Sequence, residues 1–402
     1  MTHDLTIVGG IYVERCIQPL WDAVYGSAGR AAHAVRNLIP GRIILHSYVA
    51  PEMKAQAEHV ASDCDATLMP TSAKHNLSFS YLHPMSVPAI FPTPRHIEAH
   101  VPISVKGDVV LRFGMLEGDA IVEANVAVYD PQSAFDVALF QANGSRARRL
   151  AVVMNRHETE QMTGQSDPSL AAKDLIAKGL AEVVIIKMGS SGAMVTTGVG
   201  QSVTPAYRST HVWKLGSGDV FSGTFAALWG CQGMDAAQAA DLASRAVALY
   251  CDTRSLPVPG VSDLQALSYD PVVPTKGTVY LAAPFFDLAQ RWLVEETRDQ
   301  LRALGASVFS PLHQVGPGPA SIVGPEDIKG LEKSDAVFAI LNGLDAGTIF
   351  EVGYAVKKGI PVVCFAQNVS VESLKMVEGT GCEVVDDFVS ALYRTIWRLP
   401  KA

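Results

Sequence analysis

The sequence has few charged and few aromatic residues, and it lacks a long apolar run. Charged residues make up 18% and aromatic residues 7% of the 402 positions. A membrane-spanning helix needs roughly 20 consecutive apolar residues. Because no stretch of the sequence approaches that length, we expect no membrane partner. Residues Met1–Asp4 lack a basic region followed by an apolar core, so no signal peptide is predicted.

The cysteines are also few, and the sequence offers little clustered positive charge. The six cysteines form no C-x-x-C pair and no metal-ligand spacing. Several lie in apolar runs, which favours buried free thiols and a reducing, cytoplasmic location. The net charge is −8, and the basic residues cluster only at Arg146–Arg149. Because a phosphate backbone is bound by clustered cations, nucleic acid is not an expected partner.

The length and composition predict a globular protein of two or three domains, and the pattern of strands and helices predicts an α/β fold. Hydrophobic residues make up 48% of the chain. Residues 268–277 contain two prolines and no periodicity, which is typical of a linker. We therefore divide the chain into domains 1–267 and 278–402. In the second domain, strands and helices alternate with short connections, which predicts a parallel sheet covered on both faces.

A glycine-rich turn stands before an apolar helix in the first domain. The residues Gly216, Ser217 and Gly218 precede Asp219 and the helical pattern of 220–229. Such a turn exposes backbone N–H groups at the positive end of a helix dipole, which suits a phosphoryl group. Asp219 is then placed to take a proton from an attacking hydroxyl. The alternative is an ordinary capping turn without a catalytic role.

The turn resembles the G-A-G-D signature of the ribokinase-like (PfkB) sugar and nucleoside kinases. Residues 155–158 (NRHE) resemble the N-x-x-E motif of that family, and residues 183–195 (VVIIKMGSSGAMV) resemble its strand–turn–strand segment near the nucleotide. The resemblance spans roughly the first two thirds of the chain and implies a ribokinase-like fold that uses ATP and Mg²⁺. It implies nucleotide or phosphate contacts for Gly216, Ser217, Gly218, Lys187, Gly189 and Gly192, and an indirect Mg²⁺ role for Asn155 and Glu158. A helix cap is the alternative for Asn155 and Glu158.

The sequence departs from the family pattern on the substrate side. Glu14 is the nearest acid to the position where the family holds substrate hydroxyls, and it is either a substrate ligand or a surface residue. Gly29 lies in the segment that resembles the substrate loop, where His33 replaces the family's Asn. Trp213 stands where many members carry an acid. Residues 80–96 either line a pocket that stacks against a base or form a plain proline-rich loop.

A second candidate site lies in the C-terminal domain, where residues 342–355 follow a buried strand and enter a helix. We expect Glu351 in the first helical turn, where the helix dipole favours its ionised form. An ionised carboxylate can attack an anomeric carbon and form a covalent glycosyl intermediate. The alternative is a glutamate that only caps the helix.

Residues 345–355 resemble the D-x-G-x-x-x-E-x-G-x-A pattern of the nucleoside 2-deoxyribosyltransferases. The resemblance covers Thr278 to the end and implies a flavodoxin/Rossmann-like parallel sheet. It implies that Glu351 is the nucleophile, that Tyr280 orients it, that Asp345 binds the sugar and that Asp327 protonates the base. It also places Gln314 in the base-binding loop. Both family resemblances imply a homo-oligomer.

These observations predict a bifunctional nucleoside-processing enzyme. One domain would phosphorylate a nucleoside or sugar with ATP, and the other would cleave or exchange an N-glycosidic bond. One alternative retains only the glycosidic chemistry and makes the kinase-like domain regulatory. Another is a nucleotide sensor without turnover.

Overall fold

The computed structural model describes residues 3–133, 137–273 and 275–401. The chain divides into a first unit of Met1–Ser209 with Trp213–Pro271 and a second unit of Thr210–Val212 with Val272–Ala402. Our boundaries at 267 and 278 stay a prediction, and Pro274 of the predicted linker lies outside the described residues. Among the described residues, the helices are all too short or too polar to cross a bilayer.

The first unit is built on strands that follow apolar runs of the sequence. Its strands are β1 (Leu5–Val8), β2 (Val13–Cys16), β3 (Trp21–Val24), β4 (Ile43–Val49), β5 (Ala66–Ser72), β6 (Ser78–Tyr81), β7 (Ala89–Phe91), β8 (Ile103–Phe113), β9 (Ala120–Asp130), β10 (Arg146–Asn155), β11 (Val183–Lys187), β12 (Ala193–Thr197) and β13 (Gly200–Thr204). Its helices are α1 (Gly26–Val35), α2 (Lys54–Asp63), α3 (Arg156–Thr163), α4 (Pro168–Ala177), α5 (Ser217–Phe225), α6 (Ala236–Thr253) and α7 (Val261–Ala266). A π-helical turn, Ala226–Cys231, continues α5.

The strands of the first unit form a nine-stranded and a four-stranded sheet within the described residues. The larger sheet has the order β13-β12-β11-β10-β9-β8-β1-β4-β5 and is parallel except at β12 and β13. Alternate residues of β11 serve opposite cores: Val183 and Ile185 pack with α1, α5 and α6, whereas Val184 and Ile186 pack with α4. A strand buried on both faces therefore needs the continuous apolar run seen there. The smaller sheet has the order β3-β2-β6-β7.

The second unit is a parallel sheet between two layers of helices. Its elements are β14 (Thr278–Ala282), α8 (Leu288–Ala303), β15 (Ser307–Phe309), α9 (Pro311–Gln314), α10 (Ala320–Glu332), β16 (Ala336–Ile340), α11 (Ala346–Lys358), β17 (Val362–Phe365), α12 (Val371–Gly379), β18 (Glu383–Val385) and α13 (Phe388–Ile396). The described strands have the order β15-β14-β16-β17-β18, and every neighbouring pair is parallel. That order is the flavodoxin-like one. The predicted α/β fold classes of both domains are confirmed.

Candidate active sites

The glycine turn of the first unit lies where the sequence predicts it, at the start of α5. Gly216 is the N-cap with φ +74°, and Asp219 lies in the first helical turn. A Cβ atom at position 216 would also overlap the guanidinium of Arg30, so two separate constraints require glycine. Because the first turn of a helix leaves N–H groups without intrahelical partners, the turn offers donors to an anion.

The Asp219 carboxylate is buried and accepts two side-chain hydrogen bonds. Arg30 Nη1 donates to Oδ2 at 2.8 Å, and Gln132 Nε2 donates to Oδ1 at 2.6 Å. Arg30 is 1% exposed and also forms a bidentate ion pair with Glu14. These carboxylates hold the Arg30 pKa well above its usual value, against the opposing effect of burial. The Arg30 guanidinium therefore holds the Asp219 carboxylate in the first turn of α5.

A cavity of about 530 Å³ opens above this cluster. It is lined by the cluster residues and by an apolar wall that includes Tyr12, Phe79, Tyr81, Val87, Pro88, Ile90, Pro94 and Leu116. Residues 80–96 therefore contribute to a pocket, and stacking of a base against them stays a prediction. Glu14 lines the cavity as well, whereas Gly29 is not among the described lining residues and faces Val60. The ring of His33 bonds to the Gly29 carbonyl.

A second polar cluster lies on the nucleotide side of the predicted site. Lys187 Nζ donates to Asp130 Oδ2 at 2.8 Å, and Ser222 Oγ donates to the same oxygen at 2.6 Å. Asp130 is 0% exposed, and its Oδ1 has no hydrogen-bond partner among the described residues. Burial raises the pKa of Glu158 to about 7; Lys187 lowers it and Asp130 raises it. Burial therefore disfavours the ionised form of Glu158.

Asn155 and Glu158 form the helix cap that was the alternative to a metal role. The Asn155 side chain accepts from the Glu158 N–H at 2.9 Å, and the Glu158 side chain accepts from the Asn155 N–H at 2.7 Å. Among the described residues, no group of three or more His, Cys, Asp or Glu is arranged to hold a metal. Mg²⁺ needs only one or two carboxylates when phosphates and waters complete its shell. The unpartnered Oδ1 of Asp130 beside Glu158 fits that smaller requirement.

The remaining predicted residues of the first unit surround this cluster. Gly189 and Gly192 have φ +59° and +86°, and they form the tight connection between β11 and β12. A Cβ atom at Gly218 would lie 3.6 Å from Lys187 Nζ, so this lysine is close to the glycine turn. Trp213, the departure from the family pattern, is 1% exposed, and its ring lies 5.3 Å from that of Trp21.

The second unit brings Tyr280 and Glu351 together. The Tyr280 hydroxyl donates to Glu351 Oε1 at 2.6 Å. The Tyr280 ring stacks on Phe309 at 5.5 Å between centroids, and a Cβ atom at Gly330 would overlap the Phe309 ring. Burial and the Glu351 charge raise the pKa of Tyr280, so its hydroxyl stays a donor. An orienting role for Tyr280 requires this contact, and the role itself stays a prediction.

Our prediction that Glu351 lies in the first helical turn is wrong. Helix α11 begins at Ala346 with Asp345 as its N-cap, so Glu351 lies in the second turn, beyond the strongest effect of the helix dipole. Burial raises its pKa to about 7; the Tyr280 bond lowers it, while Asp327 and Asp345 raise it. The ionised form is therefore disfavoured relative to a free glutamate.

The other predicted residues of the second unit have distinct surroundings. Burial raises the pKa of Asp327, and its Oδ1 has no hydrogen-bond partner among the described residues. Asp345 Oδ2 accepts from the Thr348 N–H at 2.8 Å and from its hydroxyl at 3.0 Å. The exposed Gln314 folds its amide back, where Oε1 accepts from Ser310 N at 2.8 Å.

Two family models match separate parts of the chain. Residues 146–257 match the pfkB family carbohydrate kinases, and residues 279–386 match the nucleoside 2-deoxyribosyltransferases. The chain carries a ribokinase-like domain and a nucleoside deoxyribosyltransferase-like domain. We call the first and second units the kinase-like unit and the transferase-like unit from here on. The predicted recognition of both families is confirmed.

Solved structures of ribokinase-family kinases resemble the chain over two thirds of its length. A nucleoside kinase from Methanocaldococcus jannaschii is 15% identical, covers 66% of this chain and 97% of its own, and has a TM-score of 0.50. A fructokinase from Vibrio cholerae O395, solved with fructose, ADP and calcium ion bound, is 14% identical over 66% and 98%, with a TM-score of 0.48. At such identities the likeness to the nucleoside kinase shows the fold alone. Comparison with curated proteins gave no match.

Several residues of the two units' sites were missed by the sequence analysis. The sequence does indicate a buried ion pair at Arg30, because a single charge in the apolar helix GSAGRAAHAV needs a buried partner. Asp130 carried a signal as well, since it ends a buried parallel strand, where ligand-binding residues collect. Gln132 and Phe309 carried no local signal, because long-range packing decides their places.

Proposed function

We propose that the chain is a bifunctional enzyme that phosphorylates a nucleoside or sugar and cleaves or exchanges an N-glycosidic bond. The observation that carries the proposal is a hydrogen-bonded carboxylate in each unit. Asp219 follows the glycine turn, and Glu351 accepts from Tyr280 in the neighbourhood of Asp327. Assembly into a homo-oligomer is part of the proposal, and light scattering tests it.

The kinase reaction uses Asp219 as the general base. The acceptor hydroxyl loses its proton to the Asp219 carboxylate while its oxygen bonds to the γ-phosphorus of ATP, and the bond between that phosphorus and the bridging oxygen of ADP breaks. The N–H groups of the turn stabilise the charge on the phosphoryl oxygens. Asp130 and Glu158 would hold Mg²⁺, which neutralises phosphate charge when bound. Lys187 lies between this pair and the turn.

The glycosidic reaction uses Glu351 as the nucleophile. Its ionised carboxylate bonds to the anomeric carbon as the bond from that carbon to the base nitrogen breaks, and Asp327 gives its proton to the departing base. Water or a second base then releases the sugar from Glu351. Asp327 is suited to the acid role because burial raises its pKa. Tyr280 holds Glu351 in the attacking position.

The cavity of the kinase-like unit favours a nucleoside over a bare sugar. Its wall combines the rings of Tyr12, Phe79 and Tyr81 with aliphatic side chains, and the polar cluster lies at its base. A nucleobase gains stacking and apolar contacts from such a wall. The sugar hydroxyls would then meet Glu14 and Asp219.

One observation favours a second candidate, in which the kinase-like unit binds a nucleoside without phosphorylating it. Both oxygens of Asp219 already accept hydrogen bonds, and one of the donors is a buried arginine. An acceptor hydroxyl would have to compete with these donors for the carboxylate. The kinase-like unit would then regulate the transferase-like unit.

Mass spectrometry of a nucleoside panel, incubated with the protein with and without Mg-ATP, tests these proposals. The bifunctional enzyme produces phosphorylated nucleoside only with ATP, and Asp219→Asn abolishes that product alone. Glu351→Gln abolishes release or exchange of the base. Glycosidic turnover that persists, with no phosphorylated product in any incubation, supports the second candidate. An unchanged panel in every incubation contradicts both.

A further inference from the structure

The side chain of Arg30 lies where the acceptor side of the kinase-like site meets the glycine turn. Its Nη1 donates to Asp219 Oδ2 at 2.8 Å and to Glu14 Oε1 at 3.0 Å. Its Nε and Cζ occupy the space that a side chain at Gly216 would fill. Arg30 therefore touches both the candidate base and the turn that would hold the phosphoryl group.

One donor of Arg30 is unused. Its Nε is buried and has no hydrogen-bond partner among the described residues, although Arg30 is 1% exposed. A buried N–H without a partner is destabilising, and a ligand oxygen that accepts from it removes that cost. Lys187 approaches the same turn near Gly218. The turn therefore lies between two cations, and one of them has a free donor.

We propose that Arg30 contacts the phosphoryl group during its transfer and exchanges Asp219 for the phosphoryl oxygens as its anionic partner. This proposal rests on the kinase reaction proposed above. The proposal gives a catalytic role to Arg30, which lies in α1 and not in the glycine turn. Neither of the two segments that the family models match contains Arg30.

The charges of the cluster change in the direction that this exchange requires. Before transfer, Glu14 and Asp219 carry one negative charge each and Arg30 carries one positive charge, so the three side chains sum to −1. The hydroxyl proton then moves to Asp219 as the acceptor oxygen bonds to phosphorus and ADP leaves. The three side chains now sum to zero, and the ion pair with Asp219 is lost. Arg30 is thus released when negative charge builds beside it on the phosphoryl oxygens.

The same charges argue against Arg30 as a receptor for an anionic acceptor molecule. Before transfer, two carboxylates outweigh the guanidinium, so the acceptor side of the cavity repels anions. Glu14 keeps its bidentate pair with Arg30 throughout and holds the guanidinium against the turn. Arg30 therefore needs only a small shift to change partners.

Titration calorimetry with ADP, Mg²⁺ and aluminium fluoride, a mimic of the transferring phosphoryl group, tests the proposal on the full chain. We expect aluminium fluoride to tighten ADP binding to the wild type by on the order of 100-fold. Arg30→Gln should lose that tightening while it binds ADP alone within about twofold of the wild type. Arg30→Lys, which retains one charge but not the planar group, should keep only part of it.

Two further variants separate this role from a loss of folding. Arg30→Gln leaves Glu14 without its cation, so the double variant Glu14→Gln/Arg30→Gln restores the original sum of −1 and should also lose the fluoride effect. Arg112 is a matched control, because it is 4% exposed and ion-paired with Asp119. Arg112→Gln should keep the fluoride effect. Circular dichroism verifies the fold of each variant.

The outcomes distinguish the Arg30 proposal from the proposed function. If the wild type does not bind ADP, the kinase half of the function fails together with the Arg30 proposal. If ADP binds but aluminium fluoride tightens it equally in the wild type and in Arg30→Gln, only the role of Arg30 is overturned. ADP binding without any fluoride effect in the wild type overturns that role too, while the nucleoside panel still decides phosphorylation. If aluminium fluoride tightens ADP binding more in Arg30→Gln than in the wild type, Arg30 opposes binding of the transferring group and the proposal is overturned.

Discussion

The two units hold their candidate catalytic carboxylates in opposite electrostatic surroundings. In the kinase-like unit, Asp219 accepts hydrogen bonds from a buried arginine and an amide. In the transferase-like unit, Glu351 accepts one hydrogen bond from Tyr280, while Asp327 and Asp345 add negative charge. The nearby Asp130 follows the first pattern, because Lys187 pairs with it. Cations therefore pair with Asp219 and Asp130, whereas burial and two neighbouring acids raise the pKa of Glu351.

The difference suits the two proposed reactions. A general base in phosphoryl transfer works beside several anionic oxygens, so neighbouring cations serve both the carboxylate and the phosphates. A glycosidic nucleophile meets a sugar carbon that gains positive charge, and cations next to it would oppose that change. The transferase-like site instead accepts a raised pKa at Glu351. Its activity should therefore depend on pH near neutrality.

The largest expected effect comes from removing the charge of the nucleophile. Glu351→Gln should lower the rate of base release by about 10⁴-fold, because an amide oxygen is a poor nucleophile. Phosphorylation should stay within about twofold. The matched control is Glu378→Gln, which changes an exposed glutamate on α12. Base release that survives in Glu351→Gln would place the nucleophile elsewhere. Both rates are measured by chromatography on the same preparations.

The pairing in the kinase-like unit predicts a large loss of stability when its cation is removed. Lys187→Met leaves Asp130, which is 0% exposed, without its ion-pair partner. Breaking a buried pair costs about 3–5 kcal/mol. We expect that loss in denaturant unfolding, and the exposed Lys173→Met should change stability by about 0.5 kcal/mol or less. Adding Asp130→Asn should recover part of the loss. Equal stabilities for Lys187→Met and Lys173→Met would contradict the statement that a cation stabilises the buried Asp130 of the kinase-like unit.

The transferase-like unit should show the reverse effect, a gain in stability when its carboxylate is neutralised. The pKa of Glu351 rises from 4.5 to about 7 on folding. An acid with a raised folded pKa stabilises the protein at low pH, and that contribution is lost as the pH rises from about 4.5 through 7. A shift of this size is worth about 3 kcal/mol.

Glu351→Gln should therefore stabilise the transferase-like unit at pH 8 and change little near pH 4.5. Thermal unfolding at both pH values measures the difference, with Glu378→Gln as the control. A variant with the same advantage at both pH values would trace the effect to packing and not to charge.

The sequence predicts only part of the difference between the two sites. The apolar runs define β11 and β14 because local hydrophobicity determines a buried parallel strand. The glycines before Asp219 predict a helix start because the turn is local as well. Arg30 and Asp219 are far apart in sequence, and nothing local joins them. Their pairing depends on how α1 and α5 pack, and no single motif records that packing.

The error at Glu351 has a different cause. The prediction placed Glu351 in the first turn, whereas Asp345 caps α11 through the Thr348 N–H and the helix begins earlier. Aspartate is a preferred N-cap residue, so this start was within reach of the sequence. The raised pKa was not, because it depends on burial and on Asp327, which a different helix supplies.

The smallest predicted effect resolves which neighbours control the charge of Glu351. Base release requires the ionised nucleophile, so its rate should rise with pH through about 7. Asp345→Asn removes a negative neighbour and should move that rise to lower pH by up to about one unit, while asparagine still caps α11. Tyr280→Phe removes a donor to the ionised form and should move the rise to higher pH. Shifts of kcat/KM in the same direction for both variants would contradict the electrostatic account. Opposite shifts would mean that the transferase-like site sets its nucleophile by a balance between Tyr280 and Asp345, and not by a cation such as Arg30.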